Sequence, residues 1–182
     1  MIERMRKHHT KTKGDIGLAQ AIADLTAKGW GVLLPLTEHE SFDLVAYREG
    51  RFLRVQVKYR TAVDGAIVVR LATTWADRHG VHTVPMDLAA IDLLCLYCPD
   101  THACYYLDPR ALTCKRVHLR VTPPRNYQIK GIAWARDFVD IPASVLGIPA
   151  VSPSALERKP FVGQSSEPGN RFWFLSARSS IG

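Results

Sequence analysis

Three side chains with complementary chemistry lie close together in this sequence: the carboxylate of Asp43, the carboxamide of Gln56 and the ammonium of Lys58. Oxygen donors of the first two kinds suit a hard divalent cation such as Mg²⁺, and an ammonium beside them can orient or deprotonate an attacking water. The chemistry such a set supports is metal-assisted hydrolysis. In the run from Leu53 to Arg60, Gln56 and Lys58 alternate with apolar residues. A strand here turns Leu53, Val55, Val57 and Tyr59 toward a core and sets Gln56 and Lys58 about 7 Å apart on the opposite face. Taken alone, QVK is an ordinary half-buried strand. Its chemical meaning depends on where Asp43 falls.

That placement requires a hairpin. FDLVAYREGRFLRVQVKYR (42–60) reads as two strands around a tight turn at Glu49-Gly50, which folds Asp43 back toward Gln56 and Lys58. Upstream, Gly14 to Lys28 reads as an amphipathic helix. Asp15 suits its positive end, Leu18, Ile22 and Leu25 form an i, i+4, i+7 stripe, and Gly29 closes it. Trp30 to Leu34 is a short apolar strand ended by Pro35. Downstream, Ala66 to Leu71 is expected to join the same sheet as a third, central strand, and Thr73 to Thr83 (TTWADRHGVHT) to form a polar loop anchored by Trp75. Ile91 to Cys98 and Ala103 to Leu107 add two more strands, and Trp134, Phe138 and Ile141 pack a last element back. The outcome is an α/β fold, a mixed central β-sheet of five or six strands flanked by helices. It occupies residues 14–148, after a basic arm (1–13) and before a tail (149–182) whose Ser, Pro, Gly and Arg content predicts disorder.

Together, the hairpin, the helical run TKTKGDIGLAQAIADLTAKGW, the lead-in PLTEHESFDL and the segment TTWADRHGVHT resemble the PD-(D/E)XK nuclease superfamily in its QxK variant. Within it the likeness is to homing endonucleases encoded in bacterial group I introns, over about residues 10–140. The resemblance implies a PD-(D/E)XK nuclease-like core, double-stranded DNA as substrate, and Mg²⁺ as cofactor with Mn²⁺ able to substitute. It implies Asp43, Gln56 and Lys58 as the catalytic set, with Asp43, the Gln56 side chain and the Val57 main-chain carbonyl as metal ligands. In that family the helix often brings a glutamate from the fifth position of a GDxxE-like run, and that position here is Leu18. Asp15 is expected on a different helical face, and Gln20 or Glu38 to reach the site only on an altered backbone. Long recognition sites imply a symmetric oligomer, a homodimer at least or a homotetramer. A junction-resolving or repair nuclease would carry the same motif, and Leu18 with the non-acidic Gln56 leaves a catalytically inactive DNA-binding relic as an alternative.

Length and charge agree with that picture. A chain of 182 residues buries one core, and a net charge of +7 with pI ≈ 9.4 leans toward an anionic partner. Candidate DNA contacts are Lys11 and Lys13 in the arm, which is equally a solvated, mobile terminus, Arg60 at the end of the hairpin, and Arg78, His79 and His82 in the following loop, these last directed at the backbone. Thr113 to Lys130 adds Lys115, Arg116, Arg120, Arg125, Tyr127 and Lys130 with no acidic residue, and is equally a solvated basic edge. No apolar run approaches the roughly 20 residues a membrane span needs, and no apolar stretch follows the basic N-terminus as in a secretory signal. A cytoplasmic, nucleoid-associated location without membrane contact is expected. Cys95 and Cys98 have zinc-like spacing, but a strand sets them on opposite faces, so the four cysteines are expected as reduced core thiols.

Overall fold

Helix α1 (His9–Ala27) extends into the basic arm, so Asp15 lies in its second turn and not at its positive end. The structure, a computed structural model, describes residues 9–37, 39–124 and 130–147. After α1 come β1 (Gly31–Leu33), β2 (Leu44–Arg48) and β3 (Arg51–Tyr59). Glu49 and Gly50, at φ 51° and 77°, make the left-handed two-residue turn that matches the twist of paired strands. Its register sets Leu44 opposite Val55 and Ala46 opposite Leu53. Then follow β4 (Ala62–Val63), β5 (Ala66–Arg70), β6 (Ala72–Asp77), β7 (Gly80–Pro85), β8 (Leu93–Cys98), β9 (Ala103–Leu107) and β10 (Arg116–Arg120).

The main sheet has five strands in the order β1-β2-β3-β8-β9 and is mixed, because β3 and β8 run parallel while their outer neighbours are antiparallel. One face carries α1: Ala21 and Leu25 bury against Leu44, Val55, Leu93 and Tyr106. Each fully buried Leu there contributes about 1.5–3 kcal/mol of transfer free energy. Tyr106 also ties the helix down, donating its hydroxyl to Asp24 at 2.6 Å. On the opposite face Leu94, Leu96 and Leu107 pack against a second sheet, ordered β10-β5-β4.

Two expectations are corrected. Ala66–Arg70 is the middle strand of the second sheet, not of the first: Ile67 and Val69 are buried while Val68 and Arg70 are exposed, so the apolar run IVV hides a one-sided alternation. TTWADRHGVHT is not a loop. It lies in the β6–β7 hairpin, paired from Ala72↔Pro85 to Asp77↔Gly80 around Arg78-His79, because β-branched Thr and Val hold a strand even where most of it is solvated.

Cys95 and Cys98 enter opposite clusters, and Cys104 is buried with Cys95. Cys114 departs from the expected core thiols: it is exposed, and its thiol donates to the Arg116 carbonyl at 2.9 Å. The last described segment returns as expected, with Phe138 packed on the second cluster and Ile141 on the first. No helix among the described residues is long and apolar enough to cross a membrane. The tail, Arg125, Tyr127, Glu38 and the Trp75 side chain lie outside what is described.

Candidate active site

The end of β2 creates the site. Arg60 donates its N–H to the Tyr97 carbonyl and the Arg54 carbonyl accepts from Asp92, so the even-numbered residues of β3 turn their backbone groups to β8. Val55 and Val57 turn theirs the other way, and the Val55 carbonyl accepts from the Asp43 N–H at 2.9 Å. At Val57 no β2 residue is left to pair. The Asp43 side chain takes that place, its Oδ2 accepting from the Val57 N–H at 2.6 Å. A strand residue points its N–H and C=O to the same side, so the Val57 carbonyl opens there too. Gln56 Nε2 donates to the same Asp43 oxygen. The first strand thus hands over to a carboxylate where its backbone stops.

Lys58 lies two residues beyond Gln56 and is half-buried. Burial holds its ammonium below the ordinary lysine value, with Asp43 pulling the other way and Arg60 adding to the depression. Arg60 is itself lowered by burial and donates to the Tyr59 carbonyl at 2.8 Å.

A cleft of about 270 Å³ adjoins the carboxylate, lined by Lys11, Gly14, Asp15, Leu18, Asp43 and Val57. The helix reaches it because Gly17 has no side chain: a Cβ there would stand 3.3 Å from the Tyr59 Cβ. Leu18 therefore faces the cleft, as the resemblance implied for that position. Asp15 lines it as well, which corrects the expectation of a different face; residues three apart share one side of a helix. Glu40, missed in the sequence, lines an adjoining cleft with Leu18, Phe42 and Asp43. Gln20 is exposed. Among the described residues no three His, Cys, Asp or Glu side chains gather as for a metal site. The donors are instead oxygens of mixed kind, the Asp43 carboxylate, the Val57 carbonyl and the carboxylate of Asp15 in the cleft wall. That set fits Mg²⁺, which is usually held by one or two carboxylates and keeps several waters.

The basic residues divide into groups. Lys11 lines the cleft, and Lys13 stands 5.8 Å from the Tyr59 ring centroid. Arg78 and His79 form the tip of the β6–β7 hairpin, with His82 on β7. Lys115 and Arg116 are exposed at the start of β10, and Arg116 is registered opposite Arg70, which sequence reading passed over. Like charges directly across a strand pair repel, so such a pair is suited to an anion. Arg120 is committed within the fold, donating to the Asp64 and Thr122 carbonyls at 3.0 and 3.1 Å. Lys130 is exposed.

A family model described as PD-(D/E)XK endonuclease matches residues 8–141. The chain belongs to the PD-(D/E)XK endonuclease family. The mixed sheet with α1 on one face is that family's nuclease-like fold, and divalent metal ions are its general cofactors. Among solved structures the chain is similar to a bacterial homing endonuclease, I-Ssp6803I, at 26% identity and a TM-score of 0.60, over 82% of this chain and 99% of that one. No curated protein matches. Membership in this endonuclease family and the homing endonuclease likeness support nuclease function with DNA as substrate.

Proposed function

We propose that this PD-(D/E)XK protein is a site-specific DNA endonuclease of the homing type that hydrolyses phosphodiester bonds of double-stranded DNA with Mg²⁺, working as a homodimer or homotetramer. The observation that carries the reading is the convergence of Gln56 Nε2 and the Val57 N–H on Asp43 at the open end of β3, with Lys58 next along the strand. Asp43 and the Val57 carbonyl would hold the cation, with Asp15 from α1 as a further carboxylate. Gln56 presents its nitrogen to the carboxylate; a half-turn about its terminal dihedral, which is broad and two-fold, presents oxygen to a cation instead. When bound, Mg²⁺ polarises the scissile phosphate and acidifies a coordinated water. Lys58, with its ammonium destabilised by burial, would orient a water beside the cation, and its neutral amine, reached at lower pH than in a solvated lysine, would be the proton acceptor.

Asp43→Ala and Lys58→Ala are expected to abolish Mg²⁺-dependent cleavage of duplex DNA while DNA binding persists. Leu18 in the cleft favours one second reading, a DNA-binding protein that has lost hydrolysis. Binding by the wild type without any cleavage in Mg²⁺ or Mn²⁺ would establish that reading and remove the first.

A further inference from the structure

The β6–β7 hairpin forms a two-stranded sheet of its own, hydrogen-bonded to neither larger sheet. Its base is held, since the Met86 N–H donates to the Leu71 carbonyl at 3.1 Å and Met86 packs on the second core cluster. Beyond that base the pair of strands is a ribbon about 20 Å long. Isolated two-stranded ribbons are marginal in water, so one that is kept needs a partner for its faces. Register places Thr74 opposite Thr83, with Val81 two residues from Thr83 on the same face. There the two threonine hydroxyls lie 3.2 Å apart and exposed, and Val81 is 74% exposed. Asp77 organises the tip, accepting from the His79 N–H at 2.7 Å and pairing with the His82 ring at 3.0 Å, while Arg78 Nε donates to His79 Nε2.

From Ala72 to Pro85 the formal charges are Arg78 and Asp77, which cancel. Such a ribbon is poorly suited to phosphates. Hydroxyls, methyl groups and one guanidinium are what base edges recognise: Arg pairs bidentately with guanine O6 and N7, Thr bonds either partner, and methyl groups meet thymine. A major groove about 12 Å wide admits a two-stranded ribbon. We infer that the β6–β7 ribbon reads base sequence in the major groove, with Arg78 leading and the Thr74, Val81 and Thr83 face against base edges. The inference rests on DNA being the ligand and assigns the hairpin to bases where the sequence suggested the backbone.

The test is selection of binding sites by the full chain from a randomised duplex library without divalent metal, sequenced for wild type, Arg78→Ala, Arg78→Lys and the double variant Thr74→Ala/Thr83→Ala. The wild type should recover a motif containing guanines, and N7 methylation of those guanines should weaken its binding about tenfold. Arg78→Ala should lose the guanine preference, Arg78→Lys should weaken it because it keeps charge but not the planar fork, and the threonine variant should flatten adjoining positions. An unchanged motif, indifference to N7 methylation, or a wild type that selects no sequence overturns the inference. So does a fall in particle mass for the ribbon variants with the motif intact, which would place the ribbon between copies of the chain. Because the selection needs no cleavage, an ordered motif from an inert protein would sink the hydrolytic reading and spare this one; a cutting protein whose motif ignores the ribbon would do the reverse.

Discussion

Asp43 serves two structural masters, capping a strand edge and receiving the Gln56 amide, so its replacement tests geometry as well as charge. Asp43→Asn keeps the shape but offers only one acceptor oxygen, and is expected to cut cleavage at least a hundredfold while Tm falls by only a few degrees. Lys58 gives a sharper test. Its ammonium is destabilised chiefly by burial, so the neutral amine is reached below the ordinary value of 10.5. The rate of cleavage should rise with pH along a limb centred below that value, and Lys58→Arg, which stays charged, should lose the limb. A lysine with a depressed folded-state pKa costs stability while it is charged, and the cost fades as pH rises through that folded pKa. Lys58→Met is therefore expected to be more stable at neutral pH by about 1 kcal/mol in urea melts, though inactive. That Asp43 folds back onto Gln56 was legible from alternation and a two-residue turn. That Val57 loses its strand partner at the same point was not, because the sequence does not mark where β2 stops pairing.

Elements enter the site through close approach. Gly17 lets α1 lie against β3, so Gly17→Val should overpack that contact, cost about 1–3 kcal/mol and lower cleavage further by moving Asp15 and Leu18 from the cleft. A second junction holds the last described segment. Asp108 is buried and accepts from Arg110 and from the Ser144 hydroxyl at 2.7 Å; the Arg110 guanidinium, opposed by burial and aided by Ser144, holds its carboxyl down to about 2. A depressed carboxylate contributes stability that is complete above its unfolded value and lost as pH falls through the folded one. Acid titration of stability should therefore show a loss of about 2 kcal/mol between roughly pH 4 and pH 2, absent in Asp108→Asn. Hydrophobic periodicity disclosed α1 and the hairpin strands. It misassigned Ala66–Arg70 because a strand's own residues do not say which sheet it joins.

At the scale of the molecule, the net charge is +7, and Arg70, Lys115 and Arg116 are exposed on the strand pair β5–β10 and beside it. Replacing these three by alanine should reduce the slope of log K against log salt by about 0.9 for each phosphate that is no longer neutralised, with the selected motif unchanged. Arg120→Ala should instead lower Tm, since that side chain is spent on the Asp64 and Thr122 carbonyls. A monomer's surface is small for a long recognition site, so the proposed assembly predicts two or four copies per duplex, measurable as the mass of the DNA complex.

Local order around the site followed from sequence alone: in α1 and the 42–60 hairpin, side-chain alternation, a turn that needs left-handed residues, and an apolar stripe at helical spacing fix which faces the strands and helix present, whereas the polar 72–85 hairpin gave no such signal. Family likeness rests on the same local runs. Tertiary structure alone decided which side chains line the two clefts at Asp43, Asp15 in one and Glu40 in the other, and set the 72–85 ribbon apart from both sheets. The reason is physical: local propensity acts through neighbouring residues, whereas a cleft depends on where a strand ends and how closely a helix can lie upon it.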